Sequence, residues 1–341
     1  MARSSSSKSS DAKRRPRSRR LLVLGAIAAA GASTAAYRRL SAASQAEKSL
    51  PSYDHDVSEL GWGPIEEPAV HNVATPDGAN LAVWDVGSGP TVVLPHCWGC
   101  SHAIWVPVAR RLVESGHRVI LYDQRGHAAS SRGTAPLTVA TLADDLAAVL
   151  IDRDVTDAVL SGHSMGGMTV MGFGTYRQAV LNERVRALVL VATAAAHVNA
   201  AAKQSSRVTA AFLGSPVITR ALRTTNGYRF VRGVFGLNPV RAQMELTADT
   251  FAACNPAVRA GFFLGMSEMN LLISEPALSS IKVPTTVMVG SRDRLTIPHR
   301  AWEIVNEIEG ARLVTLDKRG HMLPLEDPDA VTDEIIRAVK G

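Results

Sequence analysis

The sequence predicts an α/β fold: a mostly parallel, doubly wound sheet with an N-terminal antiparallel hairpin and one inserted helical segment. Three observations predict it. Beyond residue 69, short apolar runs alternate with stretches of helical spacing. Several runs are apolar at consecutive positions, as in Thr91-Val92-Val93-Leu94 and Arg186–Ala192, the pattern of strands covered on both faces. Between two earlier strand-like runs stands Pro76-Asp77-Gly78, a tight-turn sequence.

Val70–Ala74 and Asn80–Val86 flank that turn and form the hairpin, and Thr91–Leu94 is the first buried strand. A helix follows from about Trp105 to Ser115, stopped by Gly116, and Arg118–Tyr122 is the next strand. Leu137, Leu142, Leu146, Val149 and Leu150 repeat at helical spacing over Leu137–Ile151. Ala158–Leu160 is a strand, Met165–Leu181 a helix and Arg186–Ala192 a strand. Residues 197–280 break the alternation and read as mostly helical, with interruptions near Gly214, Gly227 and Asn255-Pro256. Then come a strand at Thr285–Val289, a helix at Arg300–Ile308, a strand at Ala311–Leu316 and a closing helix at Pro328–Lys340. Alternation of this kind, with short connections, is that of helices packed on both faces of a parallel sheet.

Charge divides the chain. The net +6 over 341 residues would suggest nucleic acid or a membrane surface, but residues 1–50 hold 11 Lys/Arg and 2 acids. Residues 51–341 hold 26 and 29, a balance of −3, so the body gives no reason to expect nucleic acid. The insertion is its one basic part, with eight Lys/Arg and four acids. Within the basic segment, Leu21 to Ala36 is a run of apolar and small residues between Ser18-Arg19-Arg20 and Arg38-Arg39. A positive flank before such a run is the pattern of a secretory signal or of an uncleaved anchor. Ser18-Arg19-Arg20-Leu21-Leu22-Val23 resembles the twin-arginine export signal of bacteria. Residues 1–50 are therefore expected to export or anchor the protein, with 18–39 the candidate for membrane association; a cytoplasmic protein with a basic tail is the alternative. Residues 51–68 read as a linker, and 69–341 as the folded domain, its insertion at about 197–280.

The chemistry centres on Gly162-His163-Ser164-Met165-Gly166, placed between a strand and a helix. A turn that tight exposes the Ser164 hydroxyl, excludes side chains at Gly162 and Gly166, and offers the Met165 N–H at the helix start to a developing oxyanion. A serine hydroxyl needs a base, and the base needs an orienting acid. Asp293 follows the strand ending at Gly290, and His321 follows the strand ending at Leu316, so both lie beyond carboxyl ends of strands, where open α/β sheets build sites. The chain order is Ser164, Asp293, His321. Asp123 precedes the serine, Asp317 shares the histidine's loop, and His299 precedes a helix, which makes each a weaker candidate. Three cysteines, Cys97, Cys100 and Cys254, make no disulfide framework, and no P-loop or H-E-x-x-H occurs. Cys97-Trp98-Gly99-Cys100 has redox spacing; in an exported body it would suit a local disulfide.

Residues of about 70–195 and 284–341 resemble the α/β-hydrolase fold, in its serine hydrolase branch. The resemblance is carried by Leu94-Pro95-His96-Cys97-Trp98-Gly99, Asp123-Gln124-Arg125-Gly126-His127, the Ser164 turn, Gly290-Ser291-Arg292-Asp293 and Gly320-His321. It implies that 197–280 is a helical cap, that His96 opens an oxyanion loop, that the Trp98 N–H joins that of Met165 in the oxyanion hole, and that Asp123 to His127 is a structural turn. It also implies an esterase, a lipase or a cofactor-free haloperoxidase, acting on a small acyl or lipid substrate with no cofactor and no metal. Amide, thioester and C–C hydrolysis share the machinery, and a ligand-binding protein on a silent hydrolase scaffold is the alternative of a different class. Two departures stand out: Cys97 and Ala128 occupy positions where the family has glycine.

Overall fold

A computed structural model describes residues 60–61, 68–196, 203–222, 231–274 and 277–341. The basic segment 1–50, most of the linker and Gly227 lie outside the described residues. Among the described residues no helix is long and apolar enough to cross a membrane.

Eight strands form one sheet: β1 Val70–Ala74, β2 Asn80–Val86, β3 Thr91–Pro95, β4 Arg118–Tyr122, β5 Ala158–His163, β6 Val185–Val191, β7 Thr285–Gly290 and β8 Arg312–Leu316. Their spatial order is β1-β2-β4-β3-β5-β6-β7-β8. The β1–β2 and β2–β4 pairs are antiparallel and all the others parallel. Side chains alternate faces along each strand, so Val93, Ile120 and Leu160 enter one core while Val92, Leu121 and Val159 enter the other.

The helices that cover these faces are α1 Val106–Glu114, α2 Val139–Asp152, α3 Met165–Tyr176, α4 Gln178–Arg184, α9 Pro298–Glu307, α10 Leu323–Glu326 and α11 Pro328–Lys340. Between β6 and β7 lie α5 Lys203–Leu213, α6 Pro216–Leu222, α7 Arg241–Ala253 and α8 Pro256–Glu268. On one face α2, α3 and α9 bury Leu146, Phe173 and Ile304. On the other, α1 and α11 bury Leu112 and Ile335. Start signals act as capping predicts: Thr138 accepts from Thr141 N at 3.2 Å, and Asp327 accepts from Ala330 N ahead of Pro328.

One expectation is corrected. The helix expected from Met165 to Leu181 is two helices, because Arg177 leaves helical geometry; α3 is buried along nearly its whole length, whereas α4 buries only Leu181 and turns with the surface. The interruption expected near Asn255-Pro256 lies between α7 and α8, where the Asn255 carboxamide accepts from Ala257 N at 2.9 Å and caps α8.

Candidate active site

β5 ends at His163 and α3 begins at Met165, leaving Ser164 as the sole residue of the turn, with φ 54° and ψ −113°. That left-handed value is strained for a serine and is held from several sides. Ser164 N donates to Val191 O at 2.9 Å, and Thr193 Oγ1 donates to Ser164 O at 2.7 Å. A Cβ on Gly162 would meet Gly166 O at 2.2 Å, and one on Gly166 would meet Pro95 O at 2.1 Å. The glycines thus let β5, α3 and the loop after β3 approach backbone to backbone. Ser164 is half-buried, and Met165 is fully buried at the helix start.

Asp293 and His321 come together. His321 Nδ1 lies 2.9 Å from Asp293 Oδ2, and both residues are buried. The acceptor is a carboxylate, so Nδ1 carries the proton, and Nε2 of the neutral ring is the basic nitrogen. Asp293 also accepts from Leu295 N at 2.8 Å, Thr296 N at 2.9 Å and Thr296 Oγ1 at 2.8 Å. Burial pushes the Asp293 carboxyl up, but His321, Thr296 and the Leu295 amide outweigh it and hold it below the usual carboxylate value. The main chain of His321 is fixed as well: its N–H donates to Val234 O at 2.7 Å, and its carbonyl accepts from His163 Nε2 at 2.8 Å. His163, next to Ser164 in sequence, therefore joins the serine turn to the histidine loop, and their rings lie 5.1 Å apart. Ser164 Oγ makes no hydrogen bond to His321 among the described residues, a contact that often tightens only around substrate.

The loop after β3 is anchored by a buried chain of hydrogen bonds. Gln124 N donates to His96 Nε2 at 2.9 Å, which leaves the proton on Nδ1, and His96 Nδ1 donates to Cys97 O at 2.7 Å. Gln124 Nε2 donates to His96 O at 2.5 Å, while Thr169 Oγ1 of α3 donates to Gln124 Oε1 at 2.7 Å. Burial drives the His96 pKa down to about 3, so this relay is neutral. The Trp98 side chain packs against the cluster that holds Met165, its ring lies 5.1 Å from that of Phe251, and its Nε1 donates to Arg259 O at 2.9 Å. The substitution at Cys97 is accommodated because its φ is not positive; Gly99, at φ +73°, makes the turn instead. Ala128 does take positive φ, 38°, where the family has glycine.

The other sequence candidates lie elsewhere. Asp123 is buried, accepting from His102 N at 2.8 Å, His102 Nδ1 at 3.0 Å and Ala129 N at 3.0 Å, which makes it a structural anchor. Asp317 is 80% exposed and accepts from Ser291 Oγ; His299 is 73% exposed beside Glu303. All three cysteines are free thiols, so the local disulfide is not formed. Burial pushes the Cys97 thiol up, and a hydrogen bond with it holds Cys100 below its ordinary value.

Sequence reasoning did not single out Thr296, His163 or the side chain of Gln124. Thr296 stands three residues beyond Asp293, the reach of a side chain folding back on its own turn, and that spacing was its only signal. The partners of His163 and Gln124 are distant in sequence, and nothing local marks them.

The profile of the Alpha/beta hydrolase family matches residues 92–334. The AB hydrolase superfamily protein YisY of Bacillus subtilis is 25% identical over 278 residues, which cover 78% of this chain and 97% of YisY. Non-heme chloroperoxidase CPO-A1 of Kitasatospora aureofaciens is 36% identical over 113 residues, covering 31% of this chain and 41% of that protein. Among solved structures, a thermophilic esterase from Thermogutta terrifontis superposes with a TM-score of 0.67 at 26% identity, over 80% of this chain and all of its own. With the matched profile spanning most of the folded body, the chain belongs to the alpha/beta hydrolase family and is an enzyme of that family.

Proposed function

We propose that the protein is a serine hydrolase that cleaves a carboxylic ester or a related small acyl substrate. Ser164 attacks the carbonyl carbon as His321 Nε2 takes its proton; Asp293 orients the ring and stabilises the imidazolium. The tetrahedral oxyanion is held by the Met165 and Trp98 N–H groups, each donor worth about 3 kcal/mol of barrier. Collapse expels the alcohol, which receives the proton from His321, and leaves an acyl-enzyme. Water, deprotonated by the same imidazole, then releases the acid and restores Ser164. No cofactor enters these steps. The observation that carries the reading is the buried His321–Asp293 pair at 2.9 Å, on loops beyond adjacent strands of the sheet that presents Ser164.

Labelling with a fluorophosphonate probe and turnover of short p-nitrophenyl esters test it. Wild type is expected to label and turn over, and Ser164→Ala to do neither; labelling that survives in Ser164→Ala would sink the assignment. The segment shared with the chloroperoxidase supports a second reading, peroxide-dependent chemistry at the same residues. Peracid formation from a short carboxylic acid and hydrogen peroxide, exceeding ester hydrolysis by the same preparation, would favour it. For residues 1–50 we propose export or anchoring, on their charge and apolar run alone. Cell fractionation with N-terminal sequencing decides between a cleaved signal, a retained anchor and a cytoplasmic tail.

A further inference from the structure

Glu326 closes α10, five residues beyond His321, and is only 9% exposed. Its carboxylate has no ion pair within 4 Å among the described residues, an arrangement that is costly unless hydrogen bonds compensate. Three backbone amides offset part of that cost, while burial still pushes the carboxyl above its ordinary value. Oε2 accepts from Gly320 N at 2.9 Å and Gly236 N at 2.8 Å, and Oε1 accepts from Met322 N at 3.0 Å. Gly320 and Met322 are the two neighbours of His321. The third amide, that of Gly236, belongs to the cap, where it leads into α7.

The contact between cap and histidine loop is made of main chain on both sides. His321 N donates to Val234 O at 2.7 Å, and Leu237 N donates to Lys318 O at 2.8 Å. A Cβ on Gly236 would meet Lys318 O at 2.1 Å, and one on Gly320 would meet Gly236 N at 2.3 Å. The charges acting on Glu326 are Arg319, which is paired with Asp327, and Arg232, which donates to Gly236 O at 2.9 Å. Only an acceptor with two bare oxygens serves all three amides, since a glutamine would turn an N–H toward one of them.

We propose that Glu326 is a positioning residue: it acts through His321 by fixing the peptide groups on either side of it, and through Gly236 it ties the place of that histidine to the cap. The proposal rests on the serine hydrolase reading, in which the Nε2 of His321 must meet Ser164. Mispositioning a catalytic group by about 1 Å can cost on the order of 100-fold in rate.

The test compares full-length wild type with Glu326→Gln and with Gly236→Ala, which leaves the carboxylate in place and pushes on the loop. Both variants are expected to lower kcat on a p-nitrophenyl ester by about 10- to 100-fold with KM within about twofold. Both are also expected to shift or broaden the downfield proton resonance of the His321 Nδ1–H bound to Asp293. A carboxylate that merely stabilised the fold would lower Tm and leave kcat and the resonance of the folded enzyme alone. That outcome in Glu326→Gln overturns the proposal; if that variant does not fold, the same outcome in Gly236→Ala overturns it. Should wild type neither label nor turn over ester, the serine hydrolase reading fails, and the proton resonance still decides whether Glu326 positions His321.

Discussion

His96 carries no charge and touches no candidate reacting atom, yet it sets the direction of one. The carbonyl of Cys97 and the N–H of Trp98 belong to the same planar peptide and point opposite ways. When His96 Nδ1 holds Cys97 O at 2.7 Å, the Trp98 N–H is aimed as well, before any substrate arrives. Gln124 selects the tautomer that makes this bond, and its side chain straps the loop to Thr169 on the helix that opens with Met165. Replacing Gln124 by Leu removes the strap and leaves the Thr169 hydroxyl without its acceptor on Gln124. On the proposed esterase reading, kcat is expected to fall by about 10- to 100-fold with KM little changed, the loss of one misaligned donor in the proposed oxyanion hole. Steady-state kinetics check it, and a parallel rise in KM would point to lost substrate binding instead. The resemblance located His96 at the head of the loop and marked Asp123 to His127 as a structural turn, but that Gln124 of that turn meets His96 was not legible in the sequence.

The cap shows how an element can misstate its surface from composition alone. It is the one basic part of the body, yet one of its eight cations, Arg259 on α8, is fully buried. Its guanidinium donates to Leu213 O at 2.8 Å, to Phe251 O at 2.9 Å and to Thr219 Oγ1 at 3.1 Å. Leu213 ends α5 and Phe251 lies in the last turn of α7, so the charge sits on the negative ends of two helices, with no carboxylate among its hydrogen-bond partners in the described residues. The same helix docks on the body through Gly265, where a Cβ would meet Leu137 O at 2.1 Å. Arg259→Met would keep the stem and strip the carbonyls of their donor. A loss on the order of 3 kcal/mol is expected, read by denaturant unfolding, together with early proteolytic nicking within the cap. Unchanged stability would mean that water or a neighbour replaces the guanidinium at little cost. Helical spacing did mark the insertion as helical; the direction in which Arg259 points depended on where the ends of α5 and α7 came to rest.

Acid sensitivity belongs to the whole molecule. Burial pushes both His96 and His163 down to about 3, whereas an unfolded histidine titrates near 6.5. Between those values the unfolded chain binds more protons, so stability rises with pH and is lost as pH falls below about 6.5. Each such histidine contributes up to about 1.4 kcal/mol per pH unit in that window. Urea unfolding at pH 6.5, 6 and 5.5 should show the decline, and His163→Gln, which keeps an amide donor for the His321 carbonyl, should flatten it by about one proton's worth. An equal slope in that variant would mean that His163 is protonated in the fold. The buried cysteines make a separate expectation: all three thiols should react with a disulfide reagent only after denaturation. What the sequence by itself determined is what local chemistry dictates. Strand alternation, the hairpin turn, the glycines around Ser164 and the order of Ser164, Asp293 and His321 are patterns within a few residues or along one chain direction. Tertiary structure alone decided the 2.9 Å contact between Asp293 and His321, the hold of His96 on the Cys97 carbonyl, the burial of Arg259 and the three amides on Glu326. Each depends on backbone segments far apart in sequence meeting at hydrogen-bonding distance, and only the packed sheet and its insertion set those distances.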